Sequence, residues 1–364
     1  MSLLFQPITV RGLTLPNRVW LAPMCQYSAT DGLPGDWHLV HLGARAAGGF
    51  GLVMTEATAV VPEGRISPAD TGIWNDEQTA AWRRITDFLH ARGAKAGIQL
   101  AHSGRKGSAY PPFHELADTT VPASDGGWTT LGPAAEPFGG LAAPAAMTPE
   151  QIEDVPRQFA AAARRSLAAG FDVAEVHAAH GYLLHQFLSP LVNTRDDEWG
   201  GSAERRARIV RETVRAVREV WPDELPVFVR LSATDWLPEG LGVEDVAALA
   251  ADLKADGADV VDVTTGGAAP ARITSGPGYQ VGFARRIRDV SGLPVSAVGL
   301  ITQPVQAEQV LVEGAADAVM IGREALRDPH WPLRAARELR VEVPRAPVAA
   351  GVGVQAQYDR APWR

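Results

Sequence analysis

The stretch PVFVRLS at residues 226–232, followed by a helical pattern over 243–256 and then by VVDVTT at 260–265, decides the fold. Both apolar runs are rich in β-branched residues and show little polar alternation, which is typical of parallel strands buried on both faces. The segment between them is amphipathic, as expected of a helix packed against such strands. We therefore predict a strand–helix–strand unit here.

The same unit recurs along the chain. Eight short apolar runs appear in order, each followed by a loop and a helix-like stretch, at 18–23, 51–57, 95–100, 172–178, 226–232, 259–265, 294–299 and 317–322. Amphipathic stretches lie between them, the clearest at 76–92, 202–220, 243–256 and 304–313. This count predicts an α/β protein of the (βα)8 TIM-barrel class.

One helix start carries a conflicting signal. Thr148, followed by Pro149 and Gln151, is a good N-terminal cap for a helix, but Pro156 follows eight residues after Thr148. Because an interior proline removes a backbone hydrogen bond, we expect Pro156 to kink this helix or to delay its start.

The length of 364 residues exceeds the roughly 250 residues of a bare barrel, so about 110 residues must lie in insertions or tails. We expect a single domain over 1–364, with a lid insertion at 102–147 after the third strand and an extended C-terminal tail at 341–364. A loop as long as this insertion is usually functional.

Composition restricts the class of partner. The formal net charge is −8, so there is no broad basic field to attract nucleic acid or anionic lipid, and a small molecule is the expected ligand.

No apolar run reaches the ~18 residues of a membrane helix and no secretory signal is visible, so we expect a cytoplasmic protein. Cys25 is the single cysteine, which excludes an internal disulfide and a four-thiolate iron–sulfur cluster held by one chain. Redox chemistry would therefore need an organic cofactor.

The segment HAAHGY at 177–182 is the most unusual of the strand ends. Two imidazoles, His177 and His180, precede the phenol of Tyr182 where the fourth strand meets the barrel mouth. A metal site is one interpretation, although the HExxH spacing with a glutamate base is absent. The interpretation that we favour is a pocket in which two imidazole donors hold one carbonyl oxygen and stabilise the negative charge that develops on it.

Two further features indicate an anionic cofactor. Arg230 projects from an otherwise apolar strand and needs an anion, which a reduced flavin would supply; a salt bridge to a neighbouring strand is the alternative. SAVGLIT (296–302) and VMIGRE (319–324) place Gly299, Gly322 and Arg323 after strands seven and eight, where barrels often bind phosphate. GPGYQVG (276–282) has the wrong spacing for a dinucleotide loop, and no strand directly precedes it.

Several longer motifs resemble those of a known family. They run nearly end to end: NRVWLAPMCQYSA (17–29), GRISPADTGIW (64–74), GIQLAHSGRK (97–106), GFDVAEVHAAHGYLLHQFLSP (170–190), TRDDEWGGSAERRARI (194–209) and IGREALRDP (321–329). The chain resembles the old yellow enzyme family, specifically its shorter bacterial thermophilic-like (class II) ene-reductase subgroup.

The resemblance implies roles for individual residues. Non-covalent FMN would be bound by Ala22, Pro23, Met24, Cys25, Ala57, Gln99, Arg230, Gly299, Gly322 and Arg323. Cys25 would lie near the reactive edge of the flavin and tune its potential. His177 and His180 would hold the activating oxygen of the substrate, Tyr182 would donate the proton, and Tyr27 would approach the substrate.

The resemblance also implies an activity and an assembly. NADPH or NADH would reduce the flavin, which would then reduce the activated C=C bond of an α,β-unsaturated carbonyl compound. A homodimer or a dimer of dimers would exchange its C-terminal tails, so that Arg360 reaches the partner's active site and Trp363 contributes to substrate binding; Arg364 could take that place instead. A metal-dependent barrel hydrolase and a non-catalytic flavin-binding barrel are the alternatives.

Overall fold

The computed structural model describes residues 2–342. The strands are β1 (Ile8–Val10), β2 (Leu13–Leu15), β3 (Val19–Leu21), β4 (Leu52–Ala59), β5 (Lys95–Ala101), β6 (Leu131–Gly132), β7 (Ala145–Ala146), β8 (Val173–Ala178), β9 (Val227–Ser232), β10 (Val260–Thr264), β11 (Val295–Ala297) and β12 (Ala318–Ile321). The helices are α1 (Asp36–Ala47), α2 (Asp76–Ala91), α3 (Pro149–Ala168), α4 (Leu183–Leu188), α5 (Ala203–Val220), α6 (Val243–Ala255), α7 (Val281–Ser291), α8 (Pro304–Val312), α9 (Arg323–Arg327) and α10 (Trp331–Glu338).

Eight parallel strands close into a barrel in the order β3-β4-β5-β8-β9-β10-β11-β12, with β12 pairing back to β3. Each of the eight predicted runs overlaps one of these strands, and the four amphipathic stretches correspond to α2, α5, α6 and α8. The predicted TIM barrel is therefore confirmed.

Successive side chains of a barrel strand point to opposite faces, and this alternation separates two apolar clusters. In β9, Val227, Val229 and Leu231 face outward and join the large cluster formed with the helices, whereas Phe228 faces into the barrel. There it packs 5.6 Å from the ring of Trp20, in a smaller cluster that the β1–β2 hairpin completes. Both faces of the strands are buried, as their unbroken apolar runs predict.

Asn17 joins the first two barrel strands where they begin. Its side-chain oxygen accepts hydrogen bonds from the backbone N–H groups of Val19 and Gly51, both at 3.0 Å. Its amide nitrogen donates to the carbonyl oxygen of Gly49 at 2.9 Å. One buried side chain thus bonds three backbone groups where the barrel begins, although the Gly51 N–H also donates to the carbonyl oxygen of Val19 at 3.0 Å.

Helix α3 begins at Pro149, so the expectation that Pro156 delays its start is wrong. Thr148 and Gln151 form a reciprocal capping box, in which each side chain accepts a hydrogen bond from the other residue's backbone N–H. The capping box and Pro149 in the first turn fix the start of the helix. The helix continues through Pro156 to Ala168 because its apolar face is buried.

The segment 102–147 lies against the loops at the carboxyl ends of the strands. Arg105 donates from Nη2 to the carbonyl oxygen of Ala268 at 2.7 Å, after β10. The guanidinium of Arg65 lies between the rings of Trp74 and Trp128, 5.5 and 4.9 Å from their centroids. These contacts hold the segment next to the barrel mouth.

Candidate active site

A cavity of about 330 Å³ opens at the carboxyl ends of β3, β11 and β12. Eight of the predicted site residues line it: Ala22, Pro23, Met24, His180, Arg230, Gly299, Gly322 and Arg323. These residues converge on one space although they come from five barrel strands. They lie on the loops after β3, β8, β11 and β12, and on the strand β9. This is the position at which TIM barrels place their active sites.

One end of the cavity suits an anion. Gly299 has a φ of +121°, and a Cβ there would lie 2.9 Å from Nε2 of Gln280, so the chain needs glycine at this position. Gly322 immediately precedes α9, and Arg323 is the first residue of that helix. Within residues 2–342 the Arg323 guanidinium has no hydrogen-bond or ion-pair partner, which leaves its charge available to a ligand.

The rings of His177, His180 and Tyr182 form one cluster beside this cavity. The His177 ring lies 5.1 Å from each of the other two, centroid to centroid, in edge-on arrangements. Nε2 of His177 is 3.3 Å from Nδ1 of His180, and Nε2 of His180 is 2.9 Å from Oγ1 of Thr264. The structure therefore brings the three predicted catalytic residues together.

The protonation states in this cluster follow from burial. Burial, followed by the positive charge of Arg230, lowers the pKa of His177 and of His180 well below the ordinary value. Both imidazoles are therefore neutral hydrogen-bonding groups at neutral pH. Burial raises the pKa of Tyr182, so this phenol keeps its proton. Nδ1 of His177 is buried without a hydrogen-bond partner in the described chain, which is uncommon for a buried polar atom.

A tight contact between two loops fixes the position of His180. His180 has a φ of +58° and Gly181 of +71°, after β8, while Gly267 has a φ of +102°, after β10. A Cβ on Gly267 would lie 2.5 Å from the Cα of His180, so the two backbones approach as closely as glycine permits. Lys106 reinforces the contact, since its ammonium group donates to the carbonyl oxygens of His180 at 2.8 Å and Gly267 at 3.3 Å.

Arg230 has an ionic partner inside the protein. Its Nε lies 2.8 Å from Oδ2 of Asp262 on the neighbouring strand β10, although the pair is not aligned as a hydrogen bond. The salt-bridge alternative is therefore realised, and the argument that Arg230 requires a cofactor anion is wrong. Sequence could not decide this, because Asp262 reaches Arg230 only through the register of β9 with β10.

The other predicted flavin contacts, Cys25, Ala57 and Gln99, are not part of the cavity lining. Gln99 is buried in the barrel and pairs in register with Ala57. Burial, with the nearby charges of Asp70 and Glu56, raises the pKa of the Cys25 thiol well above its usual range. Cys25 is therefore a neutral thiol at neutral pH.

Tyr27 follows on the same loop, with its ring 5.7 Å from that of Phe113 in the insertion. Arg360 and Trp363, the predicted tail residues, lie outside the described residues.

Several cavity residues escaped the sequence analysis. Tyr279 and Gln280, within the stretch that fails as a dinucleotide loop, line the cavity, and so does Thr264. Thr264 ends β10 and could have been found by reading every strand end for polar residues. Lys106 is one of only three lysines in the chain, which is the one local sign that distinguishes it.

Two negative findings apply to residues 2–342. No group of three or more histidine, cysteine, aspartate or glutamate side chains in this range is placed to hold a metal ion. None of the helices in this range combines the length and the apolar character needed to cross a lipid bilayer.

Comparison with known proteins gives a consistent assignment. Residues 3–342 match the model of the NADH:flavin oxidoreductase / NADH oxidase family. NADPH dehydrogenase of Geobacillus thermodenitrificans (strain NG80-2) is 46% identical over 365 residues, which cover 100% of this chain and 99% of the relative.

Solved structures agree with this assignment. Morphinone reductase is 30% identical with a TM-score of 0.78, over 98% of this chain and 95% of that one. An old yellow enzyme homologue from Zymomonas mobilis is 26% identical with a TM-score of 0.77, over 93% and 94% of the two chains. Family match, full-length similarity and barrel geometry together show that this chain is an oxidoreductase of the NADH:flavin oxidoreductase family, the old yellow enzyme family that its motifs indicate.

Proposed function

We propose that this protein is an FMN-dependent NAD(P)H ene-reductase of the thermophilic-like subgroup, which reduces the activated C=C bond of α,β-unsaturated carbonyl compounds. The observation that carries the proposal is the cluster of two neutral imidazoles and one protonated phenol beside a cavity that three arginines border. Enones, enals and maleimides are the expected substrates, and quinones and nitro compounds are candidates.

The residues present fit a flavin mononucleotide. Arg323, which is without a partner in the described chain, and the glycines at 299 and 322 form an end that suits its phosphate. Arg230 borders the same cavity and would present positive charge to the ring system of a bound flavin. When bound, FMN would take a hydride from NADPH or NADH and pass it to the alkene.

His177 and His180 would bind the carbonyl oxygen of the substrate. Because burial keeps both imidazoles neutral, each carries one N–H that it can donate without a charge of its own. Both ring nitrogens of His180 have partners within the protein, so the substrate oxygen would have to replace His177 or Thr264 there. As the alkene is reduced, negative charge would develop on this oxygen, and the two donors would stabilise it. The contact between the loops at His180 and Gly267 holds one of these donors in place.

Tyr182 would supply the proton to Cα. Its raised pKa makes the phenol a weak acid, so proton transfer depends on the polarisation of the substrate by the two histidines. Hydride and proton together account for the two hydrogens that the alkene gains. The same pocket would serve the nicotinamide and the alkene in turn.

The test is steady-state NADPH oxidation with an enone such as cyclohexenone. We expect His177→Ala to lower kcat/KM by about a hundred- to thousand-fold and Tyr182→Phe by about a hundredfold or more. Tyr110→Phe is the matched control, because the hydroxyl of Tyr110 donates to Asp125 at the surface of the insertion. Full enone reduction by His177→Ala would contradict the proposed role of the histidines.

Cofactor identity has its own test. The purified protein should carry FMN that heat releases without covalent attachment, and Arg323→Ala should weaken FMN binding by about tenfold or more, as expected for loss of a charge-assisted phosphate contact. Unchanged FMN affinity in that variant would remove the phosphate assignment.

We also propose that the protein forms a homodimer, or a dimer of dimers, in which the tail arginine Arg360 acts in the partner's site. Arg360→Ala and Tyr182→Phe subunits, co-expressed, should then recover activity that neither has alone. A mixed dimer has one site with both an intact Tyr182 and an intact Arg360 from the partner. No recovery in verified mixed dimers would contradict an exchanged tail.

A further inference from the structure

A row of buried polar side chains crosses the inside of the barrel below the cavity. Gln99 donates from Nε2 to Oε1 of Glu175 at 2.7 Å, and Ser296 donates from Oγ to Oδ1 of Asp262 at 2.8 Å. Between these two pairs, Nε of Arg230 lies 2.8 Å from Oδ2 of Asp262. The five residues come from five consecutive barrel strands and are all buried.

The charges in this row do not balance if every group is ionised. Two carboxyl groups share one guanidinium, and an unpaired buried carboxylate is strongly disfavoured. Asp262 has both the ion pair and the hydroxyl donor, whereas Oε2 of Glu175 has no hydrogen-bond partner. Burial and the charge of Asp262 raise the pKa of Glu175 to about 8. Asp262 is therefore the ionised partner of Arg230, and Glu175 holds a proton.

Arg230 connects this row to the cavity. Asp262 contacts Nε of the guanidinium, and within the described part of the chain neither Nη of Arg230 has a hydrogen-bond partner. Because Arg230 lines the cavity, those nitrogens are available to a ligand there. Asp262 thus fixes the base of the guanidinium and offsets part of the charge that a bound flavin would experience.

We propose that Asp262 is a positioning residue that holds Arg230 toward the flavin and, through its own negative charge, keeps the reduction potential of the flavin lower than Arg230 alone would set it. This inference rests on the proposed function, because it assumes that the cavity binds FMN. Reduction adds negative charge to the flavin, so removing the Asp262 charge favours the reduced form.

The experiment measures the reduction potential of FMN bound to the full-length protein, with FMN affinity as a second readout. Asp262→Asn keeps the shape and an oxygen acceptor for Arg230 but removes the charge. We expect at least a tenfold shift of the reduction equilibrium toward reduced flavin, which is about 30 mV for a two-electron couple. Because the charge of Asp262 is one cause of the raised pKa of Glu175, Asp262→Asn is also made together with Glu175→Gln, so that no second carboxylate can take its place beside Arg230. No shift in that double variant, or a shift toward oxidised flavin, would overturn the proposal.

Glu175→Gln is the matched comparison. Because glutamine imitates a protonated glutamate and can still accept from Gln99, the equilibrium should move less than threefold. An equal shift in both variants would show that Asp262 has no special role. Asp235→Asn controls for the loss of any buried carboxylate, since Asp235 pairs with His185 and neither residue lines the cavity, and it should leave the potential unchanged.

Failure of the two ideas can be told apart. If the wild-type protein binds no FMN, the proposed function itself is wrong; if it binds FMN and the double variant leaves the potential unchanged, only the role of Asp262 is wrong. Should Asp262→Asn not fold, Ser296→Ala removes a single hydrogen bond to the same carboxylate. It should shift the equilibrium about threefold in the same direction, and an unchanged potential in that variant would overturn the proposal.

Discussion

The contact between the loops after β8 and β10 gives a prediction that depends on a single methyl group. Gly267 has a φ of +102°, and its Cα faces the backbone of His180. A Cβ added by Gly267→Ala would lie 2.5 Å from the Cα of His180 and closer still to its carbonyl carbon and oxygen. All three atoms are backbone, so no side-chain rotation relieves the overlap.

The magnitude follows from two contributions. Real Cβ atoms essentially never approach another heavy atom below 3.0 Å, and the carbonyl carbon of His180 would lie at 2.3 Å, so the loops must separate by at least about 0.7 Å. Overpacking of this kind costs about 1–3 kcal/mol, and an alanine held at a φ that favours glycine costs about 1–3 kcal/mol more. We expect Gly267→Ala to lower the free energy of unfolding by about 4 kcal/mol.

Urea denaturation followed by tryptophan fluorescence measures this loss, and steady-state assays measure its effect on the site. Because the displaced backbone carries His180, kcat/KM for an enone should fall as well. Gly276→Ala is the matched control: no atom lies within 4 Å of the added Cβ, and stability and activity should be retained. Wild-type stability and activity in Gly267→Ala would refute the contribution of this contact.

Three further changes test other parts of the structure. Asn17→Ala leaves the Val19 N–H without its acceptor and the Gly49 carbonyl without its donor, whereas the Gly51 N–H keeps its bond to Val19. It should lower the free energy of unfolding by about 2 kcal/mol in urea denaturation. Lys106→Met removes two hydrogen bonds to loop carbonyls and should cost about 2 kcal/mol by the same method, whereas Lys95→Met, at the surface, should be near neutral. Burial, aided by Glu56, raises the pKa of Asp70 to about 7, so folding favours its protonated form and stability falls as pH rises toward that value. Between about pH 5 and about pH 8 the free energy of unfolding of Asp70→Asn should therefore fall by about 3 kcal/mol less than that of the wild type. Parallel profiles of this free energy against pH would contradict the assignment.

The barrel could be predicted from the sequence because its signal is local and repeated. Each strand is an apolar run buried on both faces, and each helix carries one apolar stripe, so eight successive units point to one architecture. The helix at Pro149 was harder, because the cap and Pro156 give opposite local signals. Burial of the whole apolar face decided between them.

The candidate site divides in the same way. His177, His180 and Tyr182 lie within six residues on one strand end, so sequence alone placed them together. The contacts that hold them came only from the tertiary structure: Thr264 beside His180, and Lys106 bonded to two loop carbonyls.

Sequence by itself thus determined the strand order and the chemical groups at the barrel mouth, since both are written in short-range patterns. Tertiary structure decided which groups satisfy one another. Asp262 pairs with Arg230 only because β9 and β10 pair in one register, and the loops at His180 and Gly267 meet only because barrel closure brings them together. Such contacts join residues dozens of positions apart, and no local periodicity encodes them.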